Sequence, residues 1–341
     1  MIKILEVINN KKIFDSPPIW IMRQAGRYLP EYMQVRSNFT NFLDLCYNPK
    51  NASRVTLQPI ERFDLDAAII FSDILVIPDA LGVDVQFKKN EGPILSKFTD
   101  KSDLKNLKIE NVIKFLQPVF ENIQITRGKL AKNKALIGFS GSPFTLACYM
   151  IEGGSSKNFE LTRKFAIANE QLFADLIGIL TESISIYLIE QIKYGADIVK
   201  LFDSWSGILP PEEFQKWVIN PTKKIVENVK KSYPKTPVIC FPKGCGSLYE
   251  NFVNEINPDV IALDQNLTKA FIKEKIQEKA VIQGNLDNYL LAYGSKDQIS
   301  KQVDEILENF SNKPFIFNLG HGIIKETPIE NVEFLISKIR K

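Results

Sequence analysis

Eight short apolar, β-branched runs recur along the chain, each parted from the next by a charged, helix-periodic segment. That alternation restricts the fold more than any other feature. The runs cover residues 19–22, 67–71, 135–139, 197–202, 237–241, 260–263, 280–283 and 315–319. The segments between them predict helices over 55–63, 112–125, 160–194, 211–233, 247–256, 268–278 and 296–309. Pro211 stands where a first-turn proline belongs, and Ser247 precedes an apolar-periodic run as a cap would. Strands buried on both faces and joined through helices form a parallel sheet. Eight of them predict closure into a single-domain (β/α)8 TIM-type barrel spanning 1–341, with its cleft at the C-terminal strand ends. A doubly wound open sheet is the competing fold, but no G-x-G-x-x-G follows any strand. The stretch 83–108 reads as an excursion over the barrel, with Gly92-Pro93 in a turn.

Composition narrows the function classes. A length of 341 residues suits one such barrel, and a hydrophobic fraction of 45% is that of a globular protein. The net charge of +3 is too mild to point to nucleic acid. The first residues, MIKILEVINNKKIF, hold no apolar core of signal-peptide length. The longest apolar stretch considered for a membrane span, 67–83, is interrupted by Asp73 and Asp79. Cys46, Cys148, Cys240 and Cys245 form no C-x-x-C pair. Reduced thiols and a cytoplasmic protein are the expectation. A single histidine, His321, excludes a multi-histidine metal site.

Strand ends carry the chemistry in a barrel, so the residues after each run are informative. The first run follows Pro17-Pro18 and ends at Arg23, with Gln24, Ala25, Gly26 and Arg27 behind it. Two arginine forks with small residues between them suit a ligand bearing carboxylates or phosphates. The alternative is a pair of surface arginines held by Glu31. The second run leads to Ser72-Asp73, and the third to Ser140-Gly141-Ser142, then Tyr149 and Glu152-Gly153-Gly154. The remaining runs lead to Asp203-Ser204-Trp205, Lys243-Gly244, Asp264, Asn285-Leu286-Asp287 and Gly320-His321-Gly322. Polar groups and glycines gather at one rim.

Asp73 has apolar neighbours on both sides, where a carboxylate is costly unless donors surround it. It is either a structural, capping aspartate or an acceptor that collects N–H groups and stabilises a developing cation. Tyr149 reads equally well as a helix-face aromatic, and His321 as a structural histidine. Phe202 and Trp205 read as core. Ser204 has no adjacent base and the chain has no G-x-S-x-G elbow, which argues against a serine hydrolase.

The stretch MRQAGRYLPEY after a Pro-x-Trp entry resembles the N-terminal signature of the uroporphyrinogen decarboxylase family. IIFSDILVIPDALG, GFSGSPFTLACYMIEGGSSKNF, LFDSWSG, QGNLD and NLGHGI-x-x-ETP follow in family order. The resemblance implies a cofactor-free (β/α)8 barrel, usually a homodimer with facing clefts, that converts the four acetate side chains of uroporphyrinogen to methyl groups, giving coproporphyrinogen. It places the family's substrate-binding arginines at Arg23 and Arg27, its essential aspartate at Asp73, and further substrate contacts at Tyr149, Ser204 and His321. The intervening Gln24, Ala25 and Gly26 belong to the same binding stretch. Departures at Lys243-Gly244-Cys245 and Lys325 fall in segments expected to tolerate change.

The residues make chemical sense of that implication. Loss of CO₂ from an acetate requires an electron sink, and no site for pyridoxal phosphate, thiamine or a metal is evident. A pyrrole protonated at the carbon bearing the acetate is itself a sink. Arg23, a water and His321 remain open as proton donors, although arginine is a very weak acid. Two rivals stay in play: a related methyltransferase, which generally needs a His/Cys zinc site, and a non-catalytic binder of polycarboxylated tetrapyrroles.

Overall fold

The structure, a computed structural model, describes residues 1–88 and 92–340. Seven of the nine strands among these residues form one parallel sheet: β1 (Ala67–Ile69), β4 (Ala135–Gly141), β5 (Ile198–Asp203), β6 (Val238–Pro242), β7 (Val260–Ala262), β8 (Val281–Leu286) and β9 (Phe315–Leu319). They pair in that order, each with its successor, with helices in every connection. All seven are buried almost throughout, as strands covered on both faces must be.

The first predicted strand corrects to something less regular. Residues 19–22 make one parallel bridge, Ile19 to Phe317, and no strand. Pro17 and Pro18 have no N–H to offer a neighbour. The donors that follow are taken by side chains: Ile19 N–H donates to Asp66 Oδ2 (2.8 Å), Ile21 N–H to Gln24 Oε1 (3.0 Å) and Met22 N–H to Asn318 Oδ1 (3.0 Å). The stretch still closes the barrel. Phe317 N–H donates to Pro18 O on one side, and Asp66 N–H donates to Ile19 O just before β1 on the other, both at 2.9 Å. It is the eighth stave, held largely by side chains.

The excursion contains a hairpin, β2 (Val85–Lys88) with β3 (Gly92–Leu95). Gly92 and Pro93 therefore open a strand instead of making the turn, and the connecting residues lie outside the described ones. This hairpin grips the end of the helix Pro143–Glu152. Ile94 bridges Gly154, Leu95 N–H donates to Gly153 O (3.0 Å) and Phe98 N–H to Met150 O (2.8 Å). It thereby fixes the helix that carries Tyr149.

Helix boundaries depart from expectation for local reasons. The segment 160–194 divides into Glu160–Ala168 and Glu170–Lys193, because Asn169 leaves the helical region (φ −130°, ψ 50°). The second of these is long and apolar enough to cross a membrane, with a mean hydropathy of 1.7, so the stretch 67–83 was not the strongest candidate span. Its apolar residues pack on β4, β5 and neighbouring helices, which is why a barrel core helix passes the same hydropathy test. Pro211 does begin the helix Pro211–Phe214. Ser247 stands at the cap position but does not cap: its backbone already lies in the α region (φ −63°, ψ −20°) and its side chain makes no capping bond. Ser295, which caps Lys296–Phe310 through a reciprocal pair with Gln298, shows the device in full.

Candidate active site

The first loop of the rim is built around Gln24. Its buried side chain accepts from Ile21 N–H and donates to Ala67 O (3.1 Å), while its carbonyl accepts from Tyr28 Oη (2.8 Å). The turn is thereby pinned to β1, and the two arginines at its ends, Arg23 and Arg27, stay exposed. Gln24 itself is fully engaged within the protein, whereas Ala25 and Gly26 are partly open. Glu31 is paired with Arg62 in a two-bond fork (2.8 and 3.0 Å), not with either arginine of the loop. The pairing that would have made them ordinary surface residues is already taken.

Arg23 sits in the left-handed region (φ 61°) and folds its side chain across Gly322. A Cβ at position 322 would collide with the Arg23 Cδ, so the glycine after His321 is what lets the guanidinium lie there. Ile323 N–H donates to Met22 O (2.9 Å), tying the His321 loop to the arginine loop.

Asp73 lies beyond β1 with partial access to solvent but packed about by protein. Its Oδ1 accepts from Leu75 N–H (2.9 Å), and its other oxygen accepts no hydrogen bond from the described residues. Burial raises its pKa above the usual carboxylate range, while that one bond and the Arg23 charge pull it back. Tyr149 is half-buried, its ring against the edge of Trp205 (centroids 6.3 Å apart). Its phenol is raised by burial and then by the Asp73 charge. His321 is held down to about 3, first by burial and then by the charges of Arg23 and Lys243, so it is a neutral imidazole at physiological pH. Ser204 is partly exposed at the end of β5. The residue before it, Asp203, is buried and accepts from Thr145 Oγ1 (2.6 Å), and burial pushes its pKa up to about 7.

Arg23 is thus the electrostatic hub: its charge acts on Asp73, Tyr149, His321 and Lys243. The Arg27 charge acts instead on Tyr32.

Sequence reasoning missed Lys200. Its side chain is fully buried inside the barrel, the ammonium 4.9, 4.6 and 5.1 Å from the ring centroids of Trp20, Phe202 and Phe241 and 3.5 Å from Met22 Sδ. No carboxylate pairs with it among the described residues. The signal was present, as a lysine inside the otherwise apolar run Ile198-Val199-Lys200-Leu201-Phe202. Burial lowers its pKa well below the lysine value of 10.5. The unfolded chain therefore binds the lysine proton more tightly, and below the unfolded pKa Lys200 subtracts from stability. That penalty fades as pH rises toward the unfolded value. Lys200→Met is expected to stabilise the fold at pH 7 by about 1–4 kcal/mol, the range for replacing buried charge by apolar volume. In urea unfolding the gain should shrink by pH 10. A loss of stability at both pH values would mean that the aromatic cage more than offsets desolvation.

A parallel β/α barrel whose strand ends gather arginines, an under-bonded carboxylate and a neutral imidazole defines a barrel enzyme for an anionic substrate. The chain belongs to the uroporphyrinogen decarboxylase family: the profile of "Uroporphyrinogen decarboxylase (URO-D)" matches residues 2–341. It is accordingly a carboxy-lyase of porphyrin and haem biosynthesis. It is 50% identical over 331 residues to the uroporphyrinogen decarboxylase of Rickettsia bellii (strain RML369-C), covering 97% of this chain and 96% of that protein. To that of Rickettsia rickettsii (strain Sheila Smith) it is 51% identical over 326 residues, covering 96% and 93%. Among solved structures, a methyltransferase from Methanosarcina mazei superposes with a TM-score of 0.81 at 21% identity, covering 99% of this chain and 97% of that one. At that identity the likeness concerns the barrel alone.

Proposed function

We propose that the protein removes the four acetate carboxyls of uroporphyrinogen without a cofactor, giving coproporphyrinogen, with the substrate pyrrole as electron sink. The observation that carries the reading is Asp73: a crowded carboxylate with one backbone donor and an unused oxygen, in the field of Arg23. Pyrrole N–H groups supply the donors it lacks. Once the ring carbon is protonated, the same carboxylate faces a cation, and in a poorly hydrated cleft that attraction is strong. Arg23 and Arg27 take substrate carboxylates, Ala25 and Gly26 leave room for them, and Tyr149 and Ser204 line the cleft as polar contacts. Gln24 acts by holding the loop. His321 is neutral in the free protein and offers one N–H and one lone pair. It gives a proton only if bound carboxylates raise its pKa.

Exhaustive dialysis against chelator, then anaerobic incubation with uroporphyrinogen, tests the whole reading. Intermediates successively poorer in carboxylates are expected, at a rate unchanged by the dialysis. Binding without turnover would favour the tetrapyrrole-binding alternative. Turnover recovered only on adding metal or pyridoxal phosphate would remove the cofactor-free mechanism.

The reading extends to a single domain over 1–341 acting as a two-fold homodimer in the cytoplasm. The dimer rests on the family resemblance. The compartment is supported by four cysteines that are all free and buried. Sedimentation at micromolar concentration should give a dimer. A fully active monomer would release catalysis from assembly.

A further inference from the structure

Beyond Arg23 and Arg27, the rim also carries Lys243, and its setting is unlike that of a surface lysine. It follows β6 and is half-buried. The ends of the two neighbouring strands, β5 and β7, fix its main chain. Its N–H donates to Asp203 O (3.0 Å), its carbonyl accepts from Ser206 Oγ (3.3 Å), and the next residue, Gly244, donates its N–H to Asp264 Oδ2 (2.7 Å). Gly244 also lies so close to Gly207 that a Cβ on Gly207 would collide with its carbonyl, and Gly244 takes φ 79°. The loop is clamped at both neighbours.

The side chain, by contrast, has no ionic or hydrogen-bonding partner among the described residues; the ammonium lies 5.8 Å from the ring centroid of Trp205. Burial lowers the Lys243 pKa; the Asp264 charge opposes this, but that carboxylate is buried, makes no ion pair with Lys243 and already receives Gly244 N–H, Tyr249 Oη (3.2 Å) and Asn266 N–H (2.9 Å). Lys243 instead shares the cleft with Arg23, and its charge reaches His321. Holding two cations near each other in a partly desolvated cleft is unfavourable unless an anion arrives. A rigid backbone beneath an unpaired ammonium is the arrangement of a preorganised anion site.

We propose that Lys243 is a third cationic anchor of the cleft, binding a substrate side-chain carboxylate other than the one held by Arg23. The proposal rests on the reading of this cleft as the site for a polycarboxylated tetrapyrrole, and it adds a residue that the strand-end pattern set on the rim but the family comparison had placed in a tolerant segment. Because Lys243 grips the periphery of the substrate and not the reacting carbon, it contributes equally to ground state and transition state.

Steady-state kinetics of Lys243→Met and Lys243→Arg with uroporphyrinogen, under anaerobic conditions and at two ionic strengths, test it. In the Met variant KM should rise about tenfold with kcat changed less than about threefold, the pattern of lost uniform binding. The dependence of KM on salt should become shallower. Arg should restore KM to within about threefold of wild type, and both melting temperatures should match it, since the loop is held by main-chain bonds. An unchanged KM in the Met variant, with wild type active, would overturn the proposal. So would a fall in kcat at constant KM, or a KM rise that Arg does not rescue. A wild-type protein inactive on uroporphyrinogen would instead overturn the reading of the site itself, a separate result.

Discussion

Asp73→Asn should lower turnover at least about 10²-fold, the scale of removing one preorganised electrostatic stabiliser. Asparagine keeps the size and one carbonyl acceptor, so the Leu75 N–H bond can persist. It loses the negative charge and sets an NH₂ donor against the pyrrole N–H groups. Substrate binding should weaken as well, because the same oxygens gather the substrate's donors. Asp73→Glu keeps the charge but displaces it by one methylene, and should retain part of the activity. Folding should survive both changes. Asparagine should give a small gain in stability, because burial already disfavours the charged carboxylate. Measured kcat, KM and melting temperature for the pair separate charge from shape. If Asn matched wild type while Glu were dead, Asp73 would be a steric fixture and the cation-stabilising mechanism would fall.

Arg23→Lys is expected to cost about 1–3 kcal/mol in kcat/KM through loss of the bidentate fork. Lysine meets the same backbone requirement at φ 61°, so the variant isolates the guanidinium and leaves the strain unchanged. Arg23 makes no ion pair among the described residues, and rim charges contribute little to stability, so the melting temperature should hold. Arg27→Lys should fall in the same range but nearer its lower end, since Asp73 and His321 feel the charge of Arg23 and not that of Arg27. Full activity in both variants, or loss of activity only through unfolding, would return the arginines to a structural role.

The register of the polar residues explains why so much of the site was legible in advance. An apolar run that ends in a charge or glycine marks a strand end in any parallel barrel, whatever the side chains do afterwards. Arg23, Asp73, Tyr149, Ser204 and His321 could therefore be assigned to one rim. Seven of the eight runs became sheet strands for the same reason: double burial demands continuous apolar sequence.

Other features depended on partners remote in sequence. The first run is as apolar as the rest, but its N–H groups go to Asp66, Gln24 and Asn318, up to 296 residues away, and it closes the barrel without becoming a strand. Lys200 looked like one polar residue in a strand, and only the closed barrel surrounds it with three aromatic rings. Glu31 was available to the loop arginines until the fold brought Arg62 to it across 31 positions. Lys243 stood in a segment expected to vary, and only packing showed its main chain clamped and its ammonium unpaired. The sequence by itself determined the barrel, the rim and the kinds of charge on it, because burial periodicity and strand ends are local properties. Tertiary structure alone decided which charges are paired and which are free. Pairing requires atoms within a few ångströms, and long-range contacts set those distances.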